Sequence, residues 1–295
     1  MVRPRWGMGR LVRSCGAIDY PGAALLSGGC ALLILGLLEG GEAWAWTSGL
    51  SVLTLAGGTV LLAVFVLVER RVAAPILPLW VFTRRVLLAS SLVAAGVGAV
   101  VLGLSAYVPT FAQGVLGASP ITAGFALATL TVGWPLAAAF SGRLFLRIGF
   151  RSTALLGSAL VVTGTVLVTV AAGTVSLPFL AAACFVVGTG LGLIASPTLI
   201  AAQSSVGWAE RGVVTGNNLF SRSLGSAVAV AAFGAVANSV LDGARGKVEP
   251  AAEVLADASG AVFTGVAVVA LAMVAAIALM PGRSQPVTGS VSQTR

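Results

Sequence analysis

Eight long stretches of this chain are almost free of charge: 22–38, 47–68, 86–108, 119–141, 152–171, 177–200, 212–239 and 260–280. Seven hold no Asp, Glu, Lys or Arg, and the eighth holds only Arg222. A helix needs about 17–25 apolar residues to cross the hydrocarbon core of a bilayer, whereas a membrane strand needs about 9–11. Each stretch has helical length. Inside lipid the backbone must satisfy its own polar groups, which a helix does within one segment. The fold class that follows is all-α, a polytopic membrane protein with eight transmembrane helices.

Composition removes the alternatives. Of 295 residues, 58% are hydrophobic and 9% charged, against about 25% charged in soluble domains. With a mean hydropathy of +1.03, a water-soluble globule is excluded. The formal charge of +8 would suggest nucleic acid in a soluble protein. Here the cations occupy short connectors between apolar runs, with no aromatic-interleaved basic face, so no nucleic-acid partner is expected. There is no histidine, hence no common metal ligand or proton shuttle. Cys15, Cys30 and Cys184 are far apart and form neither a disulfide framework nor a metal pattern. No phosphate loop, nucleophile with its base, or carboxylate pair is present. We therefore expect no metal, no cofactor and no enzymatic activity.

The connectors fix a sidedness. On the side of the N-terminus lie Arg3, Arg5, Arg10, Arg13, Arg70, Arg71, Arg84, Arg85, Arg143, Arg147, Arg151, Arg211, Arg283 and Arg295. The opposite side holds Arg245 and Lys247, both in the connector "LDGARGKVEPAAEVLADASG". Basic connectors stay in the cytoplasm, so both termini are expected there, in a multi-pass protein of the cell (inner) membrane. Trp44 and Trp46 fall at an outer boundary, where amphipathic rings settle. The polar tail 282–295 has the composition of a disordered segment.

Several segments, taken in order, resemble one family. "GRLFLRIGFR" is similar to the glycine-and-arginine cytoplasmic loop of the major facilitator superfamily: Gly142, Leu144, Arg147, Gly149 and Arg151 match, and Leu146 stands at its acidic position. "AYVPTFAQGVLGASPITAG", "LEGGEAWAW", "FVLVERRVAAPILPLWVF", "GTGLGLIASPTLIAAQ" and "GNNLFSRSLGSAVAVAAFGA" resemble segments of its fourteen-span drug:proton antiporter branch. The resemblance implies spans seven to fourteen of that architecture. Residues 1–20 would be a cytoplasmic segment, 21–71 two linker-type helices, and 72–281 a six-helix C-terminal bundle of two inverted three-helix repeats. Asp19 would cap the first helix.

The resemblance further implies efflux of small amphipathic compounds or drugs, coupled to protons, with Gly142, Arg143, Arg147, Gly149 and Arg151 in a cytoplasmic gating loop. The family's N-terminal six helices carry the antiporter motif and the proton-exchanging acids; no acid of this chain lies in a span core. Partners are therefore the bilayer, a small-molecule substrate, and an N-terminal six-helix half or a second copy of the chain. The alternative is a truncated or split fragment inactive by itself.

Arg222 stands out, because a charge at a helix centre costs about 2.5–3.5 kcal/mol on insertion scales. Either it snorkels from near the cytoplasmic end of its helix, or it faces a wet cavity or interface with Asn217 and Asn218. Ser223, Ala227, Ala231 and Ala235 form a ridge of small residues suited to close helix contact, within the domain or against another half. "VVGTGLG" lacks the third glycine of a dinucleotide loop and lies in an apolar run, so its glycines serve helix contact, with a bend at Pro197. By the resemblance, Ser105, Tyr107, Gln113, Thr189, Ser196, Thr198 and Gln203 are cavity candidates. Each is equally able to bond within its own helix.

Overall fold

Hydropathy sets the helices, and local chemistry sets where they begin. The computed structural model describes residues 19–40, 43–45, 47–71, 80–174, 176–243 and 251–280. The N-terminal arginines, Cys15, Trp46, Arg245, Lys247 and the polar tail lie outside these residues. Helix α1 spans Tyr20–Glu39, and Asp19 caps it as expected: its Oδ1 accepts from the Gly22 amide at 2.9 Å. Helix α2 spans Gly49–Glu69 with Ser48 as its cap, and a four-residue α3 spans Trp80–Thr83. There follow α4, Arg85–Gly114; α5, Pro120–Ile148, capped by Ser119; and α6, Phe150–Thr174. Then come α7, Leu177–Ser204; α8, Arg211–Gly243; and α9, Ala251–Ala278.

Among the described residues seven helices are long and apolar enough to cross a membrane, and α1 contributes a shorter apolar stretch, Tyr20–Gly36. Among the described residues there is no strand, only an isolated bridge between Gly40 and Trp44. The chain is an all-α polytopic membrane protein.

Two expectations need correction at the helix ends. The arginine-rich segment is scarcely a loop: Gly142, Arg143 and Arg147 continue α5, and α6 begins at Phe150, so Gly149 alone makes the turn. Its φ of +86° with ψ of 162° is a conformation essentially reserved for glycine. Phe145 and Phe150 stack across it at 4.7 Å. Similarly, Glu253 and Asp257 do not sit in a loop, because α9 already starts at Ala251. A carboxylate in the first turn is favoured by the positive end of the helix dipole, which hydropathy alone does not register.

The helices pack in two interlocked sets. Helix α4 lies between α8 and α9, α7 lies between α5 and α6, and α6 meets α9; α1 packs along α2 and touches α8. Exchanging α4–α5–α6 for α7–α8–α9 maps four of the first five pairings onto one another and the α6–α9 pairing onto itself. Glycines allow the closest approaches. A Cβ on Gly188 or Gly192 would strike the α5 backbone at Leu130 or Trp134, and one on Gly190 would strike Gly157 of α6. The "GTGLG" segment therefore wedges α7 between two neighbours, the helix-contact role expected of it. In the centre, Phe111 of α4 meets Phe263 of α9 edge-on at 5.9 Å.

Candidate functional site: a cationic cavity between four helices

Helix α8 could not lie so close to α4 with ordinary side chains at two positions. A Cβ on Gly98 would meet the Arg222 carbonyl, and one on Gly225 would meet the Ala95 backbone. This contact brings the polar residues at the start of α8 against two serines of α4. Asn217 is 5% exposed, and its Nδ2 donates to Ser91 Oγ at 2.6 Å. The next residue, Asn218, donates to Ser90 Oγ at 3.2 Å, and Ser90 Oγ in turn donates to the Thr198 carbonyl of α7 at 3.4 Å. A polar strut thus joins α8, α4 and α7 within apolar surroundings, where unpaired polar groups are costly.

One turn beyond Asn218, Arg222 opens into a cavity of about 440 Å³ walled by α4, α5, α7 and α8. Its guanidinium carbon lies 4.8 Å from the centroid of the Trp134 ring on α5, a cation–π distance. Two other arginine–tryptophan pairs have the same spacing, Arg84 on Trp80 and Arg211 on Trp208, but both sit at helix ends. Arg222 is eleven positions past the start of α8, about 16 Å along the axis at 1.5 Å per residue. Its side chain lines this cavity and is half-buried.

The other candidates divide. Ser196 and Thr198 line the same cavity, although the Thr198 hydroxyl also bonds within its helix, to Ile194 O at 2.7 Å. Thr189 does likewise, to Val186 O at 2.8 Å. Tyr107 is elsewhere, lining a separate cavity of about 360 Å³ with Thr110 and Asn238. Gln203 donates to Thr215 at 2.8 Å across the α7–α8 junction. Gln113 is exposed, and Ser105 is half-buried; neither lines the Arg222 cavity. Of the ridge on α8, Ala231 is buried, while Ser223 and Ala235 are exposed.

In the hairpin, Arg143 and Arg147 are exposed. Arg151 reaches back to donate from Nη2 to the Ala278 carbonyl at 3.0 Å, satisfying a carbonyl that the end of α9 leaves open. Ser90, Ser91 and Trp134 were not singled out from the sequence. The adjacent Asn217–Asn218 pair was the available signal, since amides in an apolar run, one buried and one half-buried here, require partners on a neighbour. Among the described residues no cluster of His, Cys, Asp or Glu is placed to hold a metal.

Comparison with known proteins gives these features a setting. Residues 9–230 match the family model of the Major Facilitator Superfamily. The multidrug transporter protein MdtP of Bacillus subtilis (strain 168) is 29% identical over 229 residues, covering 75% of this chain and 41% of that protein. Multidrug resistance protein 3 of the same organism is 27% identical over 227 residues, 76% of this chain and 44% of that protein. The puromycin resistance protein pur8 of Streptomyces alboniger is 30% identical over 302 residues, 97% of this chain and 58% of that protein. The chain thus spans 41% to 58% of the length of these relatives.

Proposed function

The chain belongs to the major facilitator superfamily, and on that premise we propose that it works in the export of small amphipathic compounds, as the C-terminal portion of a fourteen-span, proton-coupled transporter. The observation that carries this reading is the Arg222 cavity. A charged, hydrogen-bonded pocket amid apolar helices is the usual mark of a substrate or ion path, and relatives named as multidrug transporters support efflux. A family of carriers also accords with the absence of catalytic chemistry in the sequence.

Under this proposal α1 and α2 are linker helices and α4–α9 form one bundle. The paired packing of α4–α6 with α7–α9 supports an inverted repeat. Gly142, Arg143, Arg147, Gly149 and Arg151 mark the cytoplasmic end, in the plasma membrane with both termini inside. Alternating access then requires a second bundle, an N-terminal six-helix half or another copy, rocking about the shared cavity. With no histidine and no acid in a span core, the proton-exchanging carboxylate belongs to that second bundle.

A second reading is favoured by the coverage, 41% of MdtP: a membrane fragment that transports nothing by itself. Cellular accumulation of cationic, neutral and anionic amphipathic dyes separates the two. It is measured with the chain alone and with a candidate N-terminal half. Reduced accumulation in either case supports export, and reduction only with the half identifies the missing bundle. No change in either case defeats the export reading.

A further inference from the structure

We propose that the Arg222 cavity receives the anionic group of its substrate, so that the compounds taken are organic acids: a carboxylate or sulfonate on a flat apolar body. The inference rests on the export reading and specifies the chemistry of the same site.

Among the described residues the cavity holds a positive charge with no carboxylate in its walls. Among the described residues Asp19, Glu39, Glu69, Glu210 and Asp242 lie at or beside helix ends, and Glu253 and Asp257 lie in the first two turns of α9; none lines the cavity. On α8 itself the nearest are Glu210, just before the helix, and Asp242 in its last turn. Among the described residues the Arg222 guanidinium makes no hydrogen bond and no ion pair; its partner is the Trp134 ring. A guanidinium carries five N–H donors in a planar fork, which a carboxylate engages two at a time. The indole covers one face of that plane and occupies none of its edge.

The remaining walls suit the rest of such a molecule. Val93 and Val97 of α4, Leu199 of α7 and Leu219 of α8 provide apolar surface, while Ser196 and Asn218 add polar groups near the charge. A volume of about 440 Å³ falls within the range of small-molecule sites, about 300–1,000 Å³. Selectivity follows from the charge. An ammonium amphiphile of the same shape meets a like charge, and a neutral amide leaves the guanidinium uncompensated.

The test uses the full chain in lipid nanodiscs, with empty nanodiscs as the background for partitioning. Binding of tritiated 1-naphthaleneacetate is followed by scintillation proximity, in competition with unlabelled 1-naphthaleneacetate, 1-naphthaleneacetamide and 1-naphthylmethylammonium. We expect the carboxylate to compete roughly tenfold better than the amide, and the ammonium worst. Arg222→Gln should abolish the carboxylate preference. Arg222→Lys, which keeps the charge but loses the fork, should retain it in weakened form. Equal competition by the three compounds, preference for the ammonium, or no saturable binding to the wild-type chain overturns the proposal. An Arg222→Gln protein with wild-type helicity that still prefers the carboxylate overturns it as well. The competition series needs no variant, so a poorly folding mutant does not shelter the idea. Failure of dye export with the carboxylate preference intact would count against transport and leave the site standing; an ammonium preference would do the reverse.

Discussion

The guanidinium carbon of Arg222 lies 4.8 Å from the centre of the Trp134 ring, so the charge carried by α8 rests on an aromatic face supplied by α5. Such a contact is worth about 0.5–2 kcal/mol, most where water is excluded, less than the cost of placing arginine at membrane depth. Trp134→Ala should therefore lower stability by about 0.5–2 kcal/mol, and Trp134→Phe by less. Unfolding in mixed micelles followed by circular dichroism measures both. Equal stability of Trp134→Ala and wild type would mean that the ring does not support the charge.

The α4–α8 contact makes a sharper steric prediction. Gly225→Ala pushes a methyl into the Ala95 backbone, whereas a Cβ on Gly216, on the same helix, meets nothing within 4 Å. Backbone is slow to yield, so Gly225→Ala should cost about 1–3 kcal/mol and loosen the Asn217–Ser91 bond. Gly216→Ala should be neutral or stabilising by up to about 1 kcal/mol, from helix propensity. Thermal melts read by fluorescence-detected gel filtration distinguish them, and indistinguishable melts would contradict the packing.

The hairpin between α5 and α6 offers a similar contrast. Gly149 has a φ of +86°, while a Cβ on Gly142 has open space within 4 Å. Gly149→Ala should lose about 1–3 kcal/mol to backbone strain, and Gly142→Ala should melt like wild type. A Gly142→Ala protein that is stable but defective in dye export would place that glycine in movement rather than in folding. Equal destabilisation by the two changes would refute the turn assigned here.

Sidedness is open to direct measurement. A reporter fused at Gly41 should read outside and one at Gly149 inside, using alkaline phosphatase and green fluorescent protein in parallel. Both reporters in one compartment would invalidate the inward placement of the arginines.

The apolar runs and the Asp19 cap were legible in the sequence, because each depends on neighbours a few residues away; the glycines of α7 signalled close contact, but not that α5 and α6 would make it. Helix ends were less so. Arg143, Arg147, Glu253 and Asp257 looked like connector residues by their charge, yet they continue helices whose backbone bonding tolerates charge at the membrane edge. Among site residues, Arg222 and the two asparagines announced themselves as polar groups in an apolar run. Ser90 and Ser91 did not, since a serine in such a run is ordinarily satisfied by its own helix, as Ser91 is in bonding Leu87 O at 2.9 Å. Tyr107, Gln113 and Gln203, cavity candidates by the resemblance, do not line the Arg222 cavity.

By itself the sequence determined the solvent of this chain and the helices that cross it, since transfer from water to hydrocarbon is a sum over consecutive side chains and needs no knowledge of the fold. Only the tertiary structure decided which polar groups meet. Whether Arg222 finds Trp134, or Asn217 finds Ser91, depends on how α4, α5, α7 and α8 cross. Those crossings are set by the few places where a missing Cβ lets two backbones touch.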